Sequence, residues 1–110
     1  MNAQTTGFLL VFTNFPNAEV AKEIGMALVE NQLAACVNVL SEATSIYRWK
    51  DATEVEKEIP ALIKTTEDQF PQLRDKLVEL HPYDVPEVIA TTIADGSDSY
   101  LDWVRENTNS

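Results

Sequence analysis

The chain has 110 residues, 45% of them apolar, and its eight basic and eighteen acidic side chains leave a formal net charge of −10. The length suits a single domain, residues 1–110, and the composition excludes a disordered chain. The acidic balance excludes nucleic acid and anionic membrane surfaces as partners. It favours cations or basic partners, beside the plainer reading of a solvated surface.

Cys36 is the only cysteine, so no internal disulfide is available and a reducing, cytoplasmic setting is expected. The apolar run from Phe8 to Phe12 is too short for a signal segment or a membrane span. Gly7, Gly25 and Gly96 lie too far apart to form a phosphate cradle.

Phe8-Leu9-Leu10-Val11-Phe12-Thr13 reads as a first strand, closed by Asn14 and Pro16. Asn17 then caps an amphipathic helix over 18–32, with Val20, Ile24, Ala27 and Leu28 on one side. Gly25 weakens that helix unless close packing needs the missing Cβ. Residues 34–39 and 45–50 are strand-like. The Gly- and Pro-free link between them allows either two strands or one long strand with a bulge. A turn at Asp51-Ala52-Thr53 leads into a strand running from Glu54 to Ile63, in which Pro60 marks an edge or a bulge. That loop would set Glu54 opposite Lys50 and Glu56 opposite Arg48, so that cross-strand ion pairs compete with a cation-attracting carboxylate ridge over 54–58.

A second helix starts at a cap on Thr66 or Asp68, carries Phe70, Leu73, Leu77 and Leu80 on one face, and ends at His81-Pro82. Residues 85–94 read as a further strand, and Ser97 or Asp98 caps a short terminal helix. Residues 1–7 and 106–110 are expected to fray. The order βαββαβ with a short C-terminal helix predicts an α+β, ferredoxin-like fold: a four-stranded antiparallel sheet, a long central hairpin and two helices on one face. Phe8–Phe12 and Val88-Ile89-Ala90 are apolar at both parities, so the second sheet face also calls for burial, and self-association is the natural way to supply it.

Ala34-Ala35-Cys36-Val37-Asn38, Ser45-Ile46-Tyr47-Arg48-Trp49-Lys50, Glu56-Lys57-Glu58, Leu62-Ile63-Lys64-Thr65-Thr66, His81-Pro82-Tyr83-Asp84-Val85-Pro86-Glu87 and Tyr100-Leu101-Asp102-Trp103 resemble the CutA divalent-cation-tolerance family in order and spacing, over residues 8–105. The resemblance implies a ferredoxin-like homotrimer, similar in fold to the PII nitrogen-regulatory proteins, acting in tolerance of copper and other divalent cations. Asp51 stands where the family commonly has glycine, and Asp84 where it commonly has glutamate. Members described as copper-binding carry a cysteine at the end of the first strand and adjacent histidines before Pro-Tyr. Here those positions are Phe12, Leu80 and His81.

His81, the only histidine, has two readings. At a helix end it can bond the last carbonyls. Alternatively, exposed by the following proline, it ligates a divalent metal ion with Asp84 and Glu87, Cu²⁺ ahead of Zn²⁺ and Mn²⁺. Cys36 reads as a small buried apolar residue or, with a distant partner, as a thiolate ligand. Tyr47 and Trp49 share a strand face and point to subunit packing or to a stacking platform. No nucleophile elbow, nearby Cys/His pair or cofactor fingerprint is present, so an enzyme is not expected. The leading expectation is a trimeric, non-enzymatic, divalent-cation-binding protein. The alternative is a PII-like signalling or scaffold module that takes a small molecule or a protein at subunit clefts.

Overall fold

The first apolar run becomes β1, Phe8–Phe15, flanked on both sides in an antiparallel sheet. The structure is a computed structural model that describes residues 6–108. After β1 come α1 (Ala18–Glu30), β2 (Cys36–Val39), β3 (Ala43–Trp49), β4 (Ala52–Thr66), α2 (Phe70–Leu80), β5 (Ile89–Thr92) and α3 (Asp98–Glu106). The sheet order is β2-β4-β1-β5, with β3 also paired to β4. The fold is α+β, and the central order is that of a βαββαβ sheet. The expected second strand is broken in two, so five strands replace the expected four.

That break is a bulge. Val39 faces Ala61 while Ala43 faces Glu58, so residues 40–42 stand against Ile59 and Pro60 alone. Pro60 has no N–H to give there, and its carbonyl accepts the Leu40 N–H at 2.9 Å. One extra residue reverses side-chain parity. Cys36 and Asn38 therefore share a sheet face with Ser45 and Tyr47 instead of with Thr44 and Ile46.

The hairpin turn also differs from the expected three-residue loop. Trp49 pairs with Ala52, and the two residues between them, Lys50 and Asp51, both have positive φ, 48° and 67°. This is the left-handed pair of a type I′ turn, whose twist matches the strands it joins. The resulting register places Glu54 opposite Tyr47 and Glu56 opposite Ser45. The expected pairs Glu54–Lys50 and Glu56–Arg48 do not form. Lys57 instead meets Glu42, at 3.6 Å.

Asn17 caps α1 by accepting the Val20 N–H at 2.8 Å. The helix stops at Glu30, two residues short of the expectation, where Gln32 adopts a φ of 58°. Gly25 is needed for packing: a Cβ there would lie 3.3 Å from Val37 Cγ1. Helix α2 begins at Phe70, later than either expected cap. Thr66 Oγ1 still accepts the Gln69 N–H at 3.3 Å, and Pro71 falls in the first turn, where a missing N–H costs nothing. Strand β5 is shorter than the expected 85–94, because residues 85–88, with Pro86 among them, stay outside the ladder.

Helices α1 and α2 cover one sheet face, burying Val11, Phe15, Ile24, Leu28, Ile63, Leu73 and Leu77 in one cluster. A second cluster joins Phe8 to Val104 and Leu101 of α3. Phe8 has the opposite parity to Val11, so α3 caps one end of the other face. Beyond it, Leu10, Phe12 and Leu62 are half-buried and Ile89 is exposed. The hairpin of β3 and the first half of β4 projects as an arm. The radius of gyration is 14.8 Å, against roughly 13 Å for a compact chain of this length.

The termini are held further out than expected. Thr6 Oγ1 donates to the Ile93 carbonyl, and Thr108 is buried with its hydroxyl on the Val104 carbonyl at 2.7 Å. Residues 1–5, 109 and 110, also expected to fray, lie outside the described residues.

Candidate functional site

The segment after α2 is folded back by its histidine. Proline at 82 forces His81 out of the helix into an extended conformation, φ −73°, ψ 137°. The ring turns inward rather than toward solvent and is only 7% exposed. It stacks on Phe15, with centroids 5.2 Å apart and planes 13° from parallel, and lies 4.6 Å from the Tyr83 ring. Nε2 donates to the Asn14 carbonyl at 2.7 Å, and Nδ1 accepts the Tyr83 N–H at 3.2 Å. The neutral Nε2–H tautomer satisfies both contacts, so neither nitrogen has a free lone pair. The expected exposure of this ring is therefore corrected.

Held this way, residues 82–87 face the arm. The Tyr83 hydroxyl donates to Glu58 Oε2 at 2.9 Å, and Asn14 Nδ2 donates to Glu87 Oε1 at 2.9 Å. Burial pushes the Tyr83 phenol above its ordinary value of 10.0, and the hydrogen bond to Glu58 adds to the rise. Between segment and arm lies a cleft of about 910 Å³, lined by Tyr47, Trp49, Glu56 and Glu58 from the arm and by Tyr83, Asp84 and Glu87 from the segment. The Tyr47 phenol is also raised, by desolvation first and then by Glu56, Glu58 and Glu54. All three carboxylates thus act on one hydroxyl.

The cleft brings Asp84 and Glu87 together and leaves His81 behind them as a structural tether. Among the described residues, no three His, Cys, Asp or Glu side chains are gathered as a metal would need. As a preformed metal centre, the donor set does not fit. Cys36 lies elsewhere, half-buried on the open sheet face, with its thiol 3.6 Å from Asn38 Oδ1. Phe12 sits on that same open face, and Leu80 is an exposed helix residue. Two participants escaped the sequence reading. Asn14 reads there only as the end of a strand, and Glu58 only as one of three ridge glutamates, although Glu58 is 9% exposed.

The model of the CutA1 divalent ion tolerance protein family matches residues 9–107. The chain belongs to that family. It is similar to the divalent-cation tolerance protein CutA of Thermus thermophilus, 50% identical over 99 residues that cover 90% of this chain and 96% of that one. Human Protein CutA is 48% identical over 99 residues, 90% of this chain and 55% of its own length. A solved structure of the divalent cation tolerance protein (Cut A1) from Thermus thermophilus superposes with a TM-score of 0.90 at 48% identity, covering 93% of this chain and 99% of that chain. CutA1 proteins are divalent ion tolerance proteins, and the chain is classed with them. Among the described residues, no helix is long and apolar enough to cross a membrane.

Proposed function

We propose that this chain serves divalent-cation tolerance by binding the ion itself, as a cytoplasmic homotrimer, at the mouth of the cleft between the arm and residues 82–87. The observation that supports this reading is that Asp84, Glu87 and Glu56 line one cleft, although they are not gathered around one point and would have to draw in around the ion. Copper(II) is the first candidate, ahead of zinc and manganese, by the general order for nitrogen and oxygen donors. His81 could offer a metal only Nδ1, and only by giving up the Tyr83 amide. Its main part is to hold the segment in place. The trimer is supported by the half-buried Leu10, Phe12 and Leu62 on the open face and by the bare arm, which soluble monomers rarely leave uncovered. The unpaired Cys36 supports a reducing compartment.

Calorimetric copper titration beside melting curves tests the site. Asp84→Asn with Glu87→Gln should remove uptake and leave the melting curve near that of wild type. His81→Ala should cost about 2 kcal/mol of stability through lost packing and hydrogen bonds and weaken uptake only as the segment loosens. Full copper uptake by the double carboxylate variant overturns the assignment. The signalling or scaffold reading is favoured by the volume and aromatic lining of the same cleft. It predicts a small molecule carried through purification, visible by native mass spectrometry of the untreated protein, which also reports the oligomer.

A further inference from the structure

Strand β2 ends the sheet order, so among the described residues no strand pairs with its outer edge. The Leu40 N–H on the Pro60 carbonyl sets the parity of the ladder. Even-numbered residues of β2 bond inward to β4, and the N–H and C=O groups of Val37 and Val39 point outward. No proline or lysine guards this edge, although natural edge strands usually carry such a block. Beside it, between β2 and α1, runs a groove of about 320 Å³ whose lining includes Lys22, Met26, Val29, Glu30, Val37 and Val39. Met26 is 52% exposed, and Val29 and Val39 are exposed beside it. Gly25 lies against Val37, which sets helix and strand level at this point.

We propose that a second copy of this chain docks on this edge, with the two β2 strands paired antiparallel about a two-fold axis near Val37. The two α1 helices then lie antiparallel, side by side. The arrangement of charges selects this occupant, because the patch is complementary to itself, as a two-fold contact requires. Along α1, Lys22 and Glu30 lie four residues on either side of Met26, about 6 Å each way. A two-fold axis at this level sets Met26 near its counterpart and Lys22 toward Glu30 of the second copy. The helices also fit. Ala21, Ile24 and Leu28 hold α1 inward over the core, so two such helices stand roughly two strand spacings apart, about 10 Å, an ordinary packing distance. The groove lies on the helical side of the sheet, whereas the proposed homotrimer uses the open face and the arm. The contact therefore joins copies from different trimers and depends on neither the trimer nor metal binding.

Sedimentation velocity of the purified protein, from micromolar to near-millimolar concentration, tests the contact. The expected result is a species of twice the starting unit, or a higher multiple, that grows with concentration. Lys22→Glu and Glu30→Lys should each weaken this association about tenfold or more, because each sets like charges together. Lys22→Glu combined with Glu30→Lys exchanges the two signs and should restore it. The single variants move the net charge in opposite directions. Opposite effects on association would therefore mean general charge repulsion and overturn the contact. Amide exchange should show the Val37 N–H gaining protection as the multiple forms, and a multiple that leaves it unprotected lies elsewhere and overturns the proposal. Wild-type protein that never associates, or a double variant that stays dissociated, overturns it too. A starting unit that proves to be a monomer removes the trimer and leaves these readouts in place, so the two readings fail separately.

Discussion

Residues 59–66 and 52–57 belong to the same strand, yet only the first stretch is covered by its own chain. Along the body half of β4, Ala61, Ile63 and Thr65 are buried and alternate with half-buried neighbours. Along the arm half, Val55 is 64% exposed and faces Ile46, which is 70% exposed. In sequence, the alternation from Glu54 to Ile59 along the arm is as amphipathic as that of a strand packed on a core. The body half is stabilised by apolar surface packed under two helices. The arm half rests on ladder hydrogen bonds, a type I′ turn and cross-strand pairs, each a small contribution. A period-2 pattern thus calls for a cover without saying which molecule supplies it.

Truncations in the two halves should behave differently. Ile63→Ala leaves a cavity in a fully buried site and should cost about 3–4 kcal/mol in denaturant unfolding. Val55→Ala should leave the unfolding of the body nearly unchanged and instead shift the proposed homotrimer toward smaller species on dilution, as measured by light scattering. A loss at Val55 equal to that at Ile63 in the dissociated protein would mean that the arm is packed within its own chain.

The turn gives a smaller effect of opposite sign. Asp51 has a φ of 67°, where a side chain is strained and glycine is not. Asp51→Gly should therefore stabilise the arm by about 0.5–1 kcal/mol, seen as a higher melting temperature. No gain would mean that the Asp51 side chain makes a compensating contact.

The smallest effect lies where arm and body meet. The Tyr83 phenol is raised above 10.0 in the folded chain, so its contribution to stability is complete below pH 10. As pH rises further the unfolded phenol ionises while the folded one resists, and that contribution declines. The difference in unfolding free energy between wild type and Tyr83→Phe should be flat at neutral pH and narrow above pH 10. A difference that stays constant through that range would remove Glu58 and burial as causes of the shift.

Much of the body was legible because its signals are local. The Asn17 cap, the apolar stripe of α1, the missing donor of Pro60 and the helix end before Pro82 each follow from the residues beside them. The same cannot be said of the hairpin register. A three-residue loop and a two-residue turn both fit Lys50-Asp51-Ala52-Thr53, and the choice decides whether Glu54 meets a lysine or a tyrosine. Nor do the residues around His81 reveal that its ring turns inward. That follows from Phe15 and the Asn14 carbonyl, which lie more than sixty positions away in the chain.

By itself, then, the sequence determined the element order, the apolar faces, the excess of acid and the family. These depend on side-chain type and short-range spacing, which the linear chain carries in full. The tertiary structure alone decided that Glu58 is buried, that both nitrogens of His81 are engaged, and that Asp84 and Glu87 face the arm rather than the imidazole. Each of these depends on which surfaces meet once the chain has closed on itself. One bulged residue and one two-residue turn shift those meetings, because a single step along a strand reverses every side chain beyond it.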